Sequence, residues 1–284
     1  MKKIIFAFFA ILTLSSVMFG KTFIFTAIPD QDETKLKERF SLFANYLSAE
    51  LKMDVKFIPV KSYSASIAAF RNNQVQLAWF GGLSGVRARL VVPNSIAIAQ
   101  GVEDPEFHSY IIANTTIGLE SSNKISKEIE GKTFIFGSKG STSGRLMPEY
   151  FLRQTFNKSP NEIFKKVGFS GNHSKTIALV QSGAYEVGAV NFKVWDRELK
   201  EGKIDISKVK VIYKTPAYPD YQFTARGDLD EQFGEGFTKK LTNAILNLKD
   251  KKVLNAFPRS GFIKATNKDF KPILDVAKEI GLID

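Results

Sequence analysis

The chain contains no cysteine. That absence excludes disulfides, thiolate metal sites, a cysteine nucleophile and a lipid-modified cysteine behind a leader. Histidine is almost as scarce, with only His108 and His173 in 284 residues, so neither a structural zinc site nor any other cofactor is expected. Beyond the first twenty residues no run is long and apolar enough to span a bilayer. The nucleotide signatures are missing too: Gly137 to Gly144 does not read Gly-x-Gly-x-x-Gly, and Lys139 precedes Gly140 with no Ser or Thr after it, which is not a Walker A loop. A nucleophile elbow needs Ser at the centre of G-x-S-x-G, where this chain has Thr142. Long basic runs are also absent, although the formal net charge is +11, or +9 without Lys2 and Lys3. Dispersed lysines of that kind give a solvated surface or steer a small anion, and they do not point to nucleic acid.

What is present begins with a leader. Lys2 and Lys3 precede an apolar run from Ile4 to Leu14, followed by Ser15, Ser16 and Gly20, the pattern of a secretory signal peptide over 1–20; an uncleaved anchor is the alternative. Without a cysteine to lipidate, the exported chain is expected to move freely in a periplasm-like space. The remaining length suits two domains of ordinary size, and 44% hydrophobic with 24% charged residues is a globular composition.

The chain then reads as alternating strands and helices. Thr22–Ile28 is a buried-type strand, and Glu33–Leu51 carries Leu36, Phe40, Phe43, Leu47 and Leu51 at helical spacing. Val55–Val60 and Leu77–Phe80 are strands around a helix at Ser64–Phe70, and Val86–Val92 is helical. Ser95–Gln100 and Ser109–Asn114 follow as strands. The pattern restarts at Lys132–Phe136, with Met147–Phe156 as its helix and Lys166–Phe169, Lys175–Ser182 and Glu186–Val190 as the next strand, helix and strand. Val209–Tyr213, Phe233–Leu248 and Pro272–Ile280 complete the chain. Successive βαβ units predict α/β lobes on parallel sheets.

Two turns carry chemistry. Gly137–Pro148 places Ser141, Thr142 and Ser143 between a strand and a helix, where hydroxyls and free helix-start N–H groups suit an anion; an ordinary Ser/Thr cap explains the same residues. Gly81-Gly82-Leu83-Ser84-Gly85 is a second strand-to-helix turn able to present bare amides. Ser141 or Ser143 with His173 and Asp220 could form an exported hydrolase's triad, and His173 could equally be a helix-capping loop residue.

The segments E-G-K-T-F-I-F-G-S-K-G-S-T-S-G-R-L-M-P, V-G-F-S-G-N-H-S-K-T-I-A-L-V-Q-S-G-A-Y-E-V-G-A-V and K-S-Y-S-A-S-I-A-A-F-R-N-N-Q-V-Q-L-A-W-F-G-G-L-S-G resemble the phosphonate/phosphite-type substrate-binding proteins of ABC importers. P-D-Q-D-E-T, W-F-G-G-L-S-G and G-V-E-D-P resemble the branch labelled selenate-binding. The resemblance covers nearly the whole exported chain and implies a type II periplasmic binding protein fold, two α/β lobes joined by two crossover strands: lobe 1 from 21–114 and 220–284, lobe 2 from 115–219. It implies capture of a small tetrahedral oxyanion by a monomer that hands it to membrane permease subunits; a sensor kinase is the alternative recipient. It further implies that Ser141, Thr142, Ser143 and His173 hold the oxyanion, that Tyr63 and Phe107 wall the opposite side, and that Asp220 accepts a ligand O–H. At Lys193 the chain departs from the aminophosphonate pattern, which has an acid there; a lysine facing the site would repel a cationic tail and favour a compact anion.

Overall fold

The computed structural model describes residues 21–283, so the signal-peptide reading of 1–20 lies outside the described residues. In chain order the first block is β1 (Phe23–Ala27), α1 (Glu33–Leu51), β2 (Val55–Phe57), α2 (Tyr63–Arg71), β3 (Leu77–Phe80), α3 (Gly82–Val91) and β4 (Ile96–Gly101). The second is β5 (Ser109–Asn114), β6 (Thr133–Phe136), α4 (Met147–Phe156), α5 (Pro160–Ile163), β7 (Lys166–Phe169), α6 (His173–Gln181), β8 (Val187–Asn191), α7 (Phe192–Lys200) and β9 (Val209–Lys214). The chain then returns through β10 (Gln222–Ala225), α8 (Leu229–Phe233), α9 (Phe237–Leu246), α10 (Lys251–Ala256), β11 (Phe262–Lys264) and α11 (Lys271–Glu279). No helix among the described residues is long and apolar enough to cross a membrane.

Two sheets form, ordered β11-β4-β10-β3-β1-β2 and β7-β6-β8-β5-β9. Neither is purely parallel as the βαβ reading predicted. In the first, β1 runs parallel to β2 and β3, while β10 is antiparallel to both β3 and β4. In the second, β6 is parallel to β7 and β8, and β5 is antiparallel to β8 and β9. The intruding antiparallel strand is in each case the one delivered by a crossing between sheets. Ser109–Asn114, placed in the first lobe by the sequence division at 114, therefore hydrogen-bonds within the second sheet.

Residues 102–108 and 215–221 make the two crossings, and they pair with each other: Phe107 N–H donates to the Tyr218 carbonyl at 2.9 Å, Tyr218 N–H returns the bond at 3.0 Å, and Asp220 N–H reaches the Asp104 carbonyl at 3.0 Å. Buried Asp104 also accepts from Gly101 N–H and holds Arg259 Nη2 at 2.8 Å. The Arg259 guanidinium lies between about 5 and 6 Å from the rings of Trp79, Phe107 and Tyr221, so this deeply buried cation is both paired and packed.

The first lobe is built on aromatic packing. α1 turns Leu36, Phe40, Phe43, Leu47 and Leu51 inward as its spacing predicted, and Phe43 stacks on Phe223 at 4.9 Å. Burying one such ring contributes about 2–3 kcal/mol. The second lobe has a smaller core on each face of its sheet, one with Phe134, Phe136 and Phe164 among aliphatic residues and the other with Trp195. Leu146 and Met147, at the start of α4, cross the gap and bury themselves in the first lobe's core, which ties the anion turn to the opposite lobe. The predicted helix Phe233–Leu248 is broken because Gly234 and Gly236 take φ of 101° and 79°; α8 and α9 are separate for that reason.

Candidate functional site

The turn after β6 is a single turn of π-helix, Thr142–Leu146, running into α4. Its closing bond, Leu146 N–H to the Ser141 carbonyl at 3.0 Å, is the wide i to i+5 type. The turn's three hydroxyls, all buried, do three different things. Ser141 Oγ accepts from Gly144 N–H at 2.9 Å and is the N-cap. Thr142 Oγ1 accepts from Leu83 N–H, at 2.9 Å, across the gap between lobes. Ser143 Oγ has no hydrogen-bond partner among the described residues. The cap reading therefore holds for Ser141, while Ser143 keeps a buried hydroxyl with no partner among the described residues.

His173 sits against this turn: a Cβ added to Gly144 would lie 2.9 Å from His173 Cε1. Its ring is buried, and its Nδ1 faces Asn191 N–H at 3.2 Å. A backbone N–H can only donate, so Nδ1 is the acceptor and the proton of the neutral ring is on Nε2. Burial pushes the imidazole down to about 4, against the opposing pull of Asp30, so the ring is neutral near pH 7. The result is a buried Nε2–H donor with no partner among the described residues.

Opposite stands Asp220, 1% exposed. Its Oδ1 accepts from Gly82 N–H at 2.8 Å, while Oδ2 has no partner among the described residues. Burial pushes the carboxyl up to about 7; the Gly82 N–H and the neighbouring Thr142 and Ser143 hydroxyls restrain that rise. Gly82 and Leu83 open α3, whose N-cap Gly81 offers no side-chain acceptor. Asp220 and Thr142 cap that helix from outside, as the glycine turn allows. A Cβ on Gly81 would meet Asp220 Oδ1 at 2.9 Å and Thr142 Oγ1 at 3.3 Å, so only glycine leaves room for both.

Tyr63, buried at the start of α2, packs on Gly140, where an added Cβ would come within 3.1 Å of its own Cβ. Burial holds its phenol well above the usual range, with the Ser141 hydroxyl beside it pulling the other way. The sequence reading left three residues unassigned. Asp30, 2% exposed, accepts from Tyr221 O–H at 2.8 Å and keeps Oδ1 unpartnered; Asn191 Nδ2 donates to the Tyr221 oxygen, also at 2.8 Å. Asp30 O also accepts from His173 N–H at 3.0 Å. Asp30, Tyr221 and Asn191 thus form a buried chain from the first lobe through the second crossing to the second lobe.

Two further expected site residues have partners away from the hydroxyl turn. Asn191 caps α7 by accepting from Val194 N–H, and Lys193 leaves the first turn of that helix toward Glu103, Nζ to Oε1 3.8 Å, lying over the Phe192 ring. Lys193 also lines a small cavity with Asp30, Asn191 and Tyr221. Phe107 is packed between Phe192 at 4.8 Å and Tyr221 at 5.2 Å in the crossings, where it braces the hinge. A Ser–His pair is also missing, since Ser143 Oγ and His173 Nε2 are each without a partner and Nδ1 faces a backbone amide where a triad has its acid. Among the described residues no group of three or more His, Asp or Glu side chains could hold a metal ion.

The arrangement can thus seize an oxyanion by two neutral donors, Ser143 O–H and His173 Nε2–H, and one acceptor able to take a ligand proton, Asp220 Oδ2. Comparison with known proteins identifies the family. The model of the family described as "ABC transporter, phosphonate, periplasmic substrate-binding protein" matches residues 25–270. A Prochlorococcus marinus protein named "Probable ABC transporter phosphite binding protein PhnD1" is 46% identical over 264 residues, 90% of this chain and 89% of its own. Its structure in complex with methylphosphonate superposes with a TM-score of 0.88, covering 93% of this chain and 99% of that one. The phosphonates-binding periplasmic protein of Escherichia coli is 25% identical over 256 residues, 89% of this chain and 75% of its own. The selenate label finds no support among these relatives.

Proposed function

The chain belongs to the phosphonate periplasmic substrate-binding family of ABC transporters, and from that premise we propose that its cradle takes a small, singly protonated phosphorus oxyanion of phosphite or methylphosphonate type. Proteins of this family are the non-catalytic, substrate-binding components of ABC transporters. We place the lobe boundaries at the crossings, 21–101 with 222–283 against 109–214, and the ligand between them. Ser143 and His173 donate to it, Tyr63 closes the first-lobe side, and Asp220 Oδ2 takes its O–H. Closure of the lobes is the signal read by the permease.

The observation that carries this reading is Asp220. A buried carboxyl with one oxygen bound and the other free asks for one shared proton, which a hydrogen phosphite or hydrogen phosphonate supplies itself. Sulfate and selenate bring none near neutral pH, so they bind only the protonated carboxyl and weaken as pH rises through about 7. Calorimetric titration of the exported protein with phosphite, methylphosphonate, phosphate, sulfate and selenate at pH 6 and 8 is the test. Tighter binding of sulfate or selenate than of phosphite and methylphosphonate overturns the phosphorus reading, and no binding by any of the five overturns the cradle itself.

A further inference from the structure

On the other side of the hydroxyl turn, between α3 of the first lobe and the β6–α4 region of the second, lies a separate cavity of about 430 Å³. Arg87 reaches it from the first lobe, and Lys139, Arg145 and Arg153 from the second. One acid lines it among the described residues, Glu149, 1% exposed: Arg153 Nη2 donates to its Oε1 at 2.7 Å, and Arg145 Nε lies 2.5 Å from its Oε2 as an ion pair without hydrogen-bond geometry. Arg87 and Lys139 make no ion pair among the described residues; Arg87 donates instead to the Leu282 carbonyl. Among the described residues that line it, four cations face one carboxylate, which leaves an excess of positive charge around one concave space.

Arg145 is held at the centre of the cluster, while Lys139 is exposed at its edge. The Arg145 guanidinium lies 4.8 Å from the centres of both the Phe136 and Phe169 rings, and Lys139 Nζ lies 5.2 Å from that of Phe169. Burial is the main pull on Arg145 away from its charged form, Glu149 opposes it, and repulsion from Arg153 and Arg87 adds to it. Arg87 and Arg145 belong to different lobes, so their repulsion works against lobe closure unless a counter-charge sits between them. Chloride and solvent answer a flat basic surface; a walled cavity with fixed guanidinium groups suits a multivalent oxyanion, whose several acceptors match their donor forks.

We propose that this cavity is a second anion site, distinct from the cradle, which binds a small multivalent phosphate-type oxyanion and, by bridging Arg87 to Arg145 and Lys139, favours the closed arrangement of the lobes. Because the same anion is gripped by both lobes, its binding and cradle occupancy strengthen each other, by the same factor in each direction.

Inorganic pyrophosphate is the probe, titrated calorimetrically into the exported protein already saturated with methylphosphonate. One saturable site is expected, and Arg87→Gln and Lys139→Gln are each expected to weaken it by about tenfold or more. Retained methylphosphonate binding by both variants shows that they are folded. In the wild-type chain pyrophosphate is expected to tighten methylphosphonate binding a few-fold, an effect that disappears in Arg87→Gln. No saturable pyrophosphate binding at millimolar concentration overturns the proposal, as does binding indifferent to both substitutions. If methylphosphonate itself gives no heat, the cradle reading fails separately, and pyrophosphate titrated into the unsaturated protein still decides the second site.

Discussion

Tyr63 and His173 occupy the same slot in the two lobes. Each is the first residue of the helix that follows an edge strand of its lobe's sheet, β2–α2 and β7–α6. The caps before them have nearly the same backbone, φ −154° and ψ 163° at Ser62 and φ −154° and ψ 168° at Asn172, and each side chain accepts from the N–H three residues on. The strand orders β2-β1-β3-β10-β4 and β7-β6-β8-β5-β9 repeat one scheme. The scheme buries a helix-opening residue in each lobe, a phenol in the first and an imidazole with an unpartnered Nε2 in the second. The other turns differ in the same way. The first lobe supplies Asp30 and the bare amides of Gly82 and Leu83, while the second supplies Ser141, Thr142, Ser143 and Asn191. The first lobe's amides are satisfied by Asp220 and Thr142, which leaves the free donors mainly on the second lobe.

Removing the second lobe's donor should break this division most clearly. His173→Ala is expected to weaken phosphite or methylphosphonate binding by roughly 100-fold, about 3 kcal/mol, because a ligand oxygen is left buried and unpaired; Tyr63→Phe, in the matching slot, should cost less than tenfold. Calorimetric titration compares them directly.

Stability against pH should separate the two sides next. His173 is held down to about 4 when folded, so its contribution is complete above pH 6.5 and is lost as pH falls toward 4. Asp220 is pushed up to about 7, so folding is favoured at low pH and loses that advantage as pH rises from about 4 to 7. Each slope integrates to about 3–4 kcal/mol, and with opposite signs they nearly cancel between pH 4 and 6.5. Asp220→Asn should expose the rising slope and His173→Gln the falling one, read by calorimetric melting of the ligand-free protein from pH 4 to 8. Parallel profiles in the two variants would reject the assignment.

Smaller effects sharpen the picture. Thr142→Val removes the acceptor for Leu83 N–H across the lobes and should weaken ligand binding about tenfold, near 1 kcal/mol, with small-angle scattering showing less closure at saturating ligand. Lys193→Met should change affinity by less than about twofold, because its ammonium is engaged by Glu103 and Phe192. A tenfold loss would return Lys193 to the cradle.

The glycine- and hydroxyl-rich turn of 137–148 is visible along the chain because a strand, three small hydroxylated residues and a helix lie within one short segment. Gly81 to Gly85 is visible for the same reason. Asp30, Asn191 and Tyr221 are not, since each looks like an ordinary strand-end residue until burial and pairing join them. The partners of Lys193, Glu103 and the Phe192 ring, and those of Phe107, Phe192 and Tyr221, are likewise invisible along the chain, because they come from distant segments or from the turn of α7.

Local order determined much by itself: periodicity fixed which faces of α1 and β1 are buried, the leader composition and missing cysteines bounded the class, and glycine with hydroxyls marked the anion turn. The tertiary structure alone decided which of three adjacent hydroxyls caps, which latches and which stays free. It also fixed the proton on His173 Nε2 and lifted the Asp220 carboxyl toward neutrality. Those outcomes depend on desolvation and on hydrogen-bond partners more than fifty residues away, such as Leu83 for Thr142 and Gly82 for Asp220, and neither is a property of a residue and its neighbours along the chain.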